Sequence, residues 1–221
     1  MAKNVAADAV LVIGLGRFGG ALALMLERLG HEVLAVDASH AVVQEYSGQI
    51  THAAEADATS AAALRQLGAH EFRTAIVAIG TGIEASLLSA GALVDFGVPQ
   101  VWAKAITTPH GRILERIGVQ HVVYPEIAMG ERVAHLITGK ILDFIEFEDG
   151  YAIAKLQAPK QVTGRTLADS GLRTKYGVTI VGVKSHGQDF THAQPQTFVA
   201  ERDLLIVSGR TDLVEEFAAS M

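Results

Sequence analysis

A chain of 221 residues with 49% hydrophobic and 19% charged side chains has enough apolar material for a sizeable core, which excludes a disordered chain. Its formal charge of -6 and scattered Lys and Arg argue against a nucleic-acid surface, which needs clustered cations. Zero cysteines exclude disulfides, thiolate metal sites and a cysteine nucleophile. No apolar run approaches the roughly 20 residues that span a bilayer, and MAKNVAADAV lacks a secretory pattern, so a cytosolic location is expected.

Residues Val10–Ile13 read as an apolar strand that feeds the turn Gly14-Leu15-Gly16-Arg17-Phe18-Gly19. Each glycine has its own task there. Gly14 permits the tight turn, Gly16 lets backbone approach a pyrophosphate, and Gly19 lets the next helix pack closely on the sheet. That helix carries Leu22, Leu24, Met25, Leu26 and Leu29 as its apolar stripe and ends at Gly30. A second strand, 33–36, runs into Asp37, which lies 18 positions after Gly19. This is near the spacing of about 20 expected for a carboxylate that accepts hydrogen bonds from ribose hydroxyls. The same acid can cap the turn that follows it. Its charge would also repel a 2′-phosphate, which disfavours NADP.

Further apolar runs at 51–54, 75–79, 100–103 and 121–124 alternate with helical patterns at 60–67, 84–95 and 110–117, each followed by a glycine. Such alternation predicts an α/β fold with a Rossmann-like, doubly wound parallel sheet of about six strands and a ligand at its carboxyl edge. Ile79, Gly80 and Lys104 fall at that edge, and Arg17 can swing its guanidinium over phosphate oxygens. From Pro125 a helix is expected over 127 to about 142. Beyond residue 148, short strands at Tyr151–Gln157, 178–184 and 204–208, with helices at 166–172 and 212–219, predict a small α+β domain. Gly187 sits in a hairpin-like turn. The nine histidines show no helical H-x₃-H pair, so His31, His52, His110 and His121 read as surface or satisfied interior residues.

Taken together, GLGRFG, GHEVLAVD, DAT at 57–59, VAIG at 77–80, WAKA at 102–105, LERIGVQHVVYPEIAMG and KYGVTIVGVKSHG resemble the RCK proteins, the regulatory subunits of bacterial Ktr and Trk potassium-uptake systems. The resemblance divides the chain into a nucleotide-binding domain at 8–124, a crossover helix region at 125–148 and a carboxyl-terminal domain at 149–219. It implies a cytoplasmic, peripheral protein, a homodimer assembling into a homo-octameric ring below a membrane potassium-translocating subunit. ATP or ADP, or NAD(H), would be the effector that switches the ring. In such relatives the turn Asp57, Ala58 and Thr59 touches the adenine side, although Asp57 or Thr59 equally suits the cap of helix 60–67. Glu126 would lie near the phosphates across a subunit pair and help hold a divalent cation, although an acid in a first helical turn is favourable without a ligand. Arg173, Tyr176, Val178, Ile180 and Pro195 would surround a c-di-AMP site in the second domain, or describe an ordinary dimer core.

The alternative is an NAD-dependent oxidoreductase that uses the same glycine turn, supported by the Tyr151-x₃-Lys155 spacing of a proton relay. Tyr151, Ile153 and Lys155 alternate as a strand does, which argues against it. A transcriptional sensor would require a DNA-binding element, and the sequence shows no basic helix or helix-turn-helix.

Overall fold

A computed structural model describes residues 9–137, 139–147 and 149–220. The expected domain limits at Asp8 and Glu148, and the stretch 1–8, lie outside the described residues. The chain divides into two compact units, 1–126 and 127–221.

In the first unit β1 (Val10–Ile13), α1 (Arg17–Arg28), β2 (Val33–Asp37), α2 (His40–Tyr46), β3 (His52–Glu55), α3 (Ala61–Gln66), β4 (Thr74–Val77), α4 (Ile83–Asp95), β5 (Gln100–Lys104), α5 (Thr108–Arg116) and β6 (His121–Val123) follow one another. All six strands are parallel, in the order β3-β2-β1-β4-β5-β6. This is the doubly wound sheet that the alternating pattern predicts. Its centre is buried on both faces: Leu11, Ile13 and Val77 enter one core cluster, and Val10, Val12 and Ile76 the other.

The buried face of α1 is narrower than its leucines suggest. Gly19, Gly20 and Ala23 are its buried residues, Leu22, Leu24 and Leu26 are half-buried, and Met25 and Leu29 are exposed. Small residues one turn apart set the contact ridge, so the helix lies close to the sheet and the larger stripe turns partly outward. A Cβ at Gly19 would overlap the Gly14 carbonyl oxygen and sit 2.8 Å from the Ala78 Cβ. Gly30 ends the helix with φ +86.

α2 has no counterpart among the expected elements. Ser39 caps it through the Val42 amide at 3.5 Å, and Val43 supplies its buried contact. His110 is also not the satisfied interior residue expected. It is 1% exposed, its Nδ1 accepts from the Ile106 amide at 3.3 Å, and its Nε2 has no partner among the described residues. Burial holds its pKa below the ordinary 6.5.

α6 (Pro125–Ile137) begins at the end of the first unit and carries the chain into the second. The helix expected to reach about residue 142 stops at Ile137, and β7 (Ile141–Phe147) follows. Ile141, Phe144 and Ile145 fit a helical spacing as well as a strand, and pairing with β8 (Tyr151–Gln157) decides the matter. The remaining elements are β9 (Arg165–Thr166), α7 (Leu167–Ser170), α8 (Leu172–Tyr176), β10 (Thr179–Lys184), β11 (Thr191–His192), β12 (Phe198–Val199), β13 (Leu204–Arg210) and α9 (Thr211–Ala219). A five-stranded antiparallel sheet runs β11-β10-β13-β8-β7, and β12 pairs with β9. The helix expected over 166–172 is two short ones, α7 and α8, split at Gly171 with φ +60. A bulge between Ile180 and Gly182 interrupts β10, so Ile180 and Val183 are both buried while Val181 faces out.

Gly19→Ala is expected to lower the unfolding temperature through overpacking of about 1–3 kcal/mol. Gly16→Ala, whose added carbon meets nothing within 4 Å, stays within about 0.5 kcal/mol of the parent. Thermal unfolding followed by circular dichroism checks both, and an unshifted Gly19→Ala would contradict the close approach. A second outcome concerns acid. The unfolded chain protonates His110 near its ordinary value while the folded one resists. The stability it contributes is therefore full above about pH 6.5 and is lost as pH falls toward the lowered folded value. His110→Leu should flatten that part of the unfolding-temperature profile, and an unchanged slope would exclude the role.

Candidate functional site

The sheet order reverses between β1 and β4, so the connections leaving these strands diverge and open a crevice at their carboxyl ends. The glycine turn lies at that point. Gly14 holds φ +93 with its amide donating to the Val36 carbonyl at 2.7 Å, and a Cβ there would press on the Ala78–Ile79 backbone. Gly16 is the N-cap of α1. It makes no side-chain cap bond, the first turn holds no acid, and a Cβ at Gly16 would fill open space. A helix start without a side-chain acceptor, backed by space that only glycine leaves clear, fits a phosphate group.

Asp37 ties this turn to the neighbouring strand. Its Oδ2 accepts from the Leu15 amide at 2.7 Å and its Oδ1 from the Ser39 amide at 2.9 Å. The carboxylate therefore shapes the loop and caps the following turn together. Two of its roughly four acceptor positions are used, which leaves capacity for ribose hydroxyls. β3 ends beside it, with Glu55 in register with Asp37 and bonded to His40 Nδ1 at 2.7 Å. Neither Glu55 nor His40 stood out in the sequence; the signal was the acid at each of two adjacent strand ends.

Asp57 and Thr59 form a tight turn of their own. Asp57 Oδ1 accepts from the Thr59 amide at 2.9 Å and the Thr59 hydroxyl at 2.7 Å, bonds that hold the Asp57 carboxyl below its ordinary range. The cap of α3 is Ser60, which accepts from the Ala63 amide at 3.3 Å, so neither Asp57 nor Thr59 is spent on that role. Ala58 is buried, and its carbonyl accepts from the buried Ser89 hydroxyl at 2.9 Å.

The charged side of the crevice gathers residues from four segments. Lys104, at the end of β5, is 8% exposed overall. Its Nζ lies 2.5 Å from Glu126 Oε1, 5.8 Å from the Phe18 ring centroid, and 3.1 Å from where a side chain at Gly80 would begin. That ring distance is within cation–π range. Glu126 is held below the ordinary glutamate range, first by the Lys104 hydrogen bond, with smaller contributions from Lys104 and Arg17 charge. Arg17 is exposed at the first position of α1, and Ile79 is half-buried beside Gly14.

Among the described residues no group of three or more His, Asp or Glu side chains could hold a metal ion, and Glu126 already gives an oxygen to Lys104. Val178 and Ile180 are buried in the core, so their side chains line no surface. Arg173 reaches the Thr179 hydroxyl at 3.3 Å, Tyr176 meets the Phe217 ring edge-on at 5.2 Å, and the exposed Pro195 accepts from the Ala168 amide at 2.8 Å. Tyr151 and Lys155 both lie on the extended strand β8, about 13 Å apart at 3.3 Å per residue, too far for a proton relay.

The crevice and the strand order define a protein of the doubly wound nucleotide-binding class, joined here to a small antiparallel domain. The TrkA-N domain matches residues 10–125 and the TrkA-C domain residues 152–221. The chain belongs to this TrkA family, which includes the Ktr system potassium uptake proteins. It is 38% identical to Ktr system potassium uptake protein A of Bacillus subtilis over 93% of both chains. The GsuK RCK domain shares its fold at 20% identity, with a TM-score of 0.66 over 96% of this chain. The GsuK channel bound to NAD does so at 22% identity and a TM-score of 0.52, again over 96% of this chain. This chain spans 47% and 38% of those two, respectively.

Asp37→Asn leaves one oxygen where two backbone amides need acceptors. A stability loss of about 1–3 kcal/mol is expected, with faster hydrogen exchange at the Leu15 and Ser39 amides. Unchanged exchange at Leu15 would show that the carboxylate does not hold the turn.

Proposed function

We propose that this chain is the nucleotide-sensing gating subunit of a potassium-uptake system, without chemical turnover, acting at the cytoplasmic face beneath a membrane potassium-translocating subunit. The observation that carries the reading is the convergence of Lys104 and Arg17 on the uncapped start of α1, at the point where the strand order reverses. Family membership supports the transport context, and the relative of known structure bound to NAD supports an adenine nucleotide as the ligand class.

The phosphates would lie against Gly14, Gly16, Phe18 and Gly19, beside Ile79 and Gly80, with Lys104 and Arg17 as the cations that read them. Asp37 would take the ribose, and the turn Asp57, Ala58 and Thr59 would border the adenine. ATP and ADP are the favoured pair, and NAD(H) occupies the same crevice in the alternative. Gating requires that the nucleotide bind two shapes of a homo-oligomeric ring unequally, because equal affinity shifts no equilibrium. A coupling of roughly 1–3 kcal/mol changes occupancy of the active shape about 5- to 150-fold.

Calorimetric titration with ATP, ADP, NAD⁺ and NADH tests this. At least one adenine nucleotide should bind, and Arg17→Ala should weaken ATP more than ADP because its guanidinium reads the terminal phosphate. No binding of any of the four at millimolar concentration would overturn the reading, and equal weakening of ATP and ADP would remove Arg17 from that role.

A further inference from the structure

The ribose side of the crevice holds an imidazole and an acid that the reading above leaves without a task. Glu55 ends β3 in register with Asp37 at the end of β2, and the Ala56 amide donates to the Asp37 carbonyl at 3.1 Å, so the two acids stand on neighbouring strand ends. His40 opens α2 directly after Ser39, whose amide donates to Asp37 Oδ1 at 2.9 Å. Its Nδ1 lies 2.7 Å from Glu55 Oε2. In a doubly wound nucleotide site the acid that ends the second strand meets the ribose 2′-oxygen, and a cationic side chain close by is what accommodates a 2′-phosphate. His40 stands where such a side chain would be needed, but Glu55 already engages it. The next acid along the chain, Asp57, spends its Oδ1 on the Thr59 amide and hydroxyl.

We propose that Glu55 is a specificity-determining residue of the crevice: by engaging His40 it withholds the group that would take a ribose 2′-phosphate, and with Asp37 it restricts the site to adenine nucleotides whose 2′-hydroxyl is free. The proposal rests on the nucleotide-sensing reading above and adds to it the class of nucleotide that the sensor ignores. A 2′-phosphate brings about two negative charges up to Asp37, and an imidazole N–H turned toward it would offset part of that repulsion. Glu55 removes this compensation and adds a charge of its own. The His40 and Glu55 side chains are 69% and 51% exposed, and an ion pair so open to water contributes little to stability. Its consequence lies in its place beside the ribose acid. A site built in this way follows the pool of unphosphorylated adenine nucleotides and is not occupied by their 2′-phosphorylated counterparts.

The test is calorimetric titration of the full chain with an adenine nucleotide that the parent binds and with the same molecule carrying a 2′-phosphate: ATP or ADP against its own 2′-phosphate derivative, or NAD(H) against NADP(H). The parent should bind the 2′-phosphate form at least about tenfold more weakly. Glu55→Gln should narrow that ratio about threefold to tenfold by tightening the 2′-phosphate form, the scale of one solvent-exposed charge contact. Adding His40→Gln to Glu55→Gln should return at least half of the gain, and His40→Gln alone should not narrow the ratio. A parent that binds both forms equally would overturn the proposal, as would a Glu55→Gln variant with an unchanged ratio or with no binding of the 2′-phosphate form at millimolar concentration. So would a ratio narrowed only because the unmodified nucleotide weakens, a gain of which His40→Gln returns less than half, or a narrowing by His40→Gln alone. A parent chain that binds no adenine nucleotide overturns both this proposal and the reading beneath it, whereas a parent that binds one without this mutational signature overturns the proposal alone.

Discussion

The approach of α1 to the sheet through Gly19 is the constraint on which the candidate site depends. The absence of a side chain there lets the helix axis come close enough for Gly19 to rest on the Gly14 carbonyl and Ala78. Gly14 can turn the chain so sharply only because its backbone adopts a left-handed conformation that side chains resist. Asp37 then fixes the turn from the adjacent strand by accepting the Leu15 amide. Backbone geometry, two glycines and one carboxylate thus aim the start of α1 at the crevice, and the cations are added to a frame already built.

Those cations come from elsewhere in the chain. Lys104 closes β5, Glu126 opens α6 and Arg17 opens α1, so their proximity depends on parallel pairing of β4, β5 and β6 rather than on any local motif. The arrangement gives the crevice a buried lysine whose carboxylate partner is largely exposed.

The first unit was legible because its signals are local. Continuous apolar strands, helix-ending glycines and the Gly14, Gly16, Gly19 and Asp37 spacing each follow from short-range sterics, and the structure forms the six-stranded sheet that they imply. The second unit was less so. ILDFIEF satisfies a helical and an extended spacing alike, and only the distant β8 settles it as a strand. The bulge in β10 brings Val183 onto the same buried face as Ile180, three positions earlier, a shift invisible in an alternating pattern. Val178 and Ile180, grouped in the sequence with Arg173 around a c-di-AMP site or a dimer core, are buried in the core of the second unit itself. The Lys104–Glu126 pair spans 22 residues, and nothing in its spacing announces it.

A crystal structure of the full chain grown with ATP is the most direct measurement of the central claim, that an adenine nucleotide lodges at the carboxyl edge of the parallel sheet. Phosphate density is expected against the Gly16–Phe18 backbone and ribose density beside Asp37. An empty crevice, or ATP bound only at another place on the molecule, would contradict it.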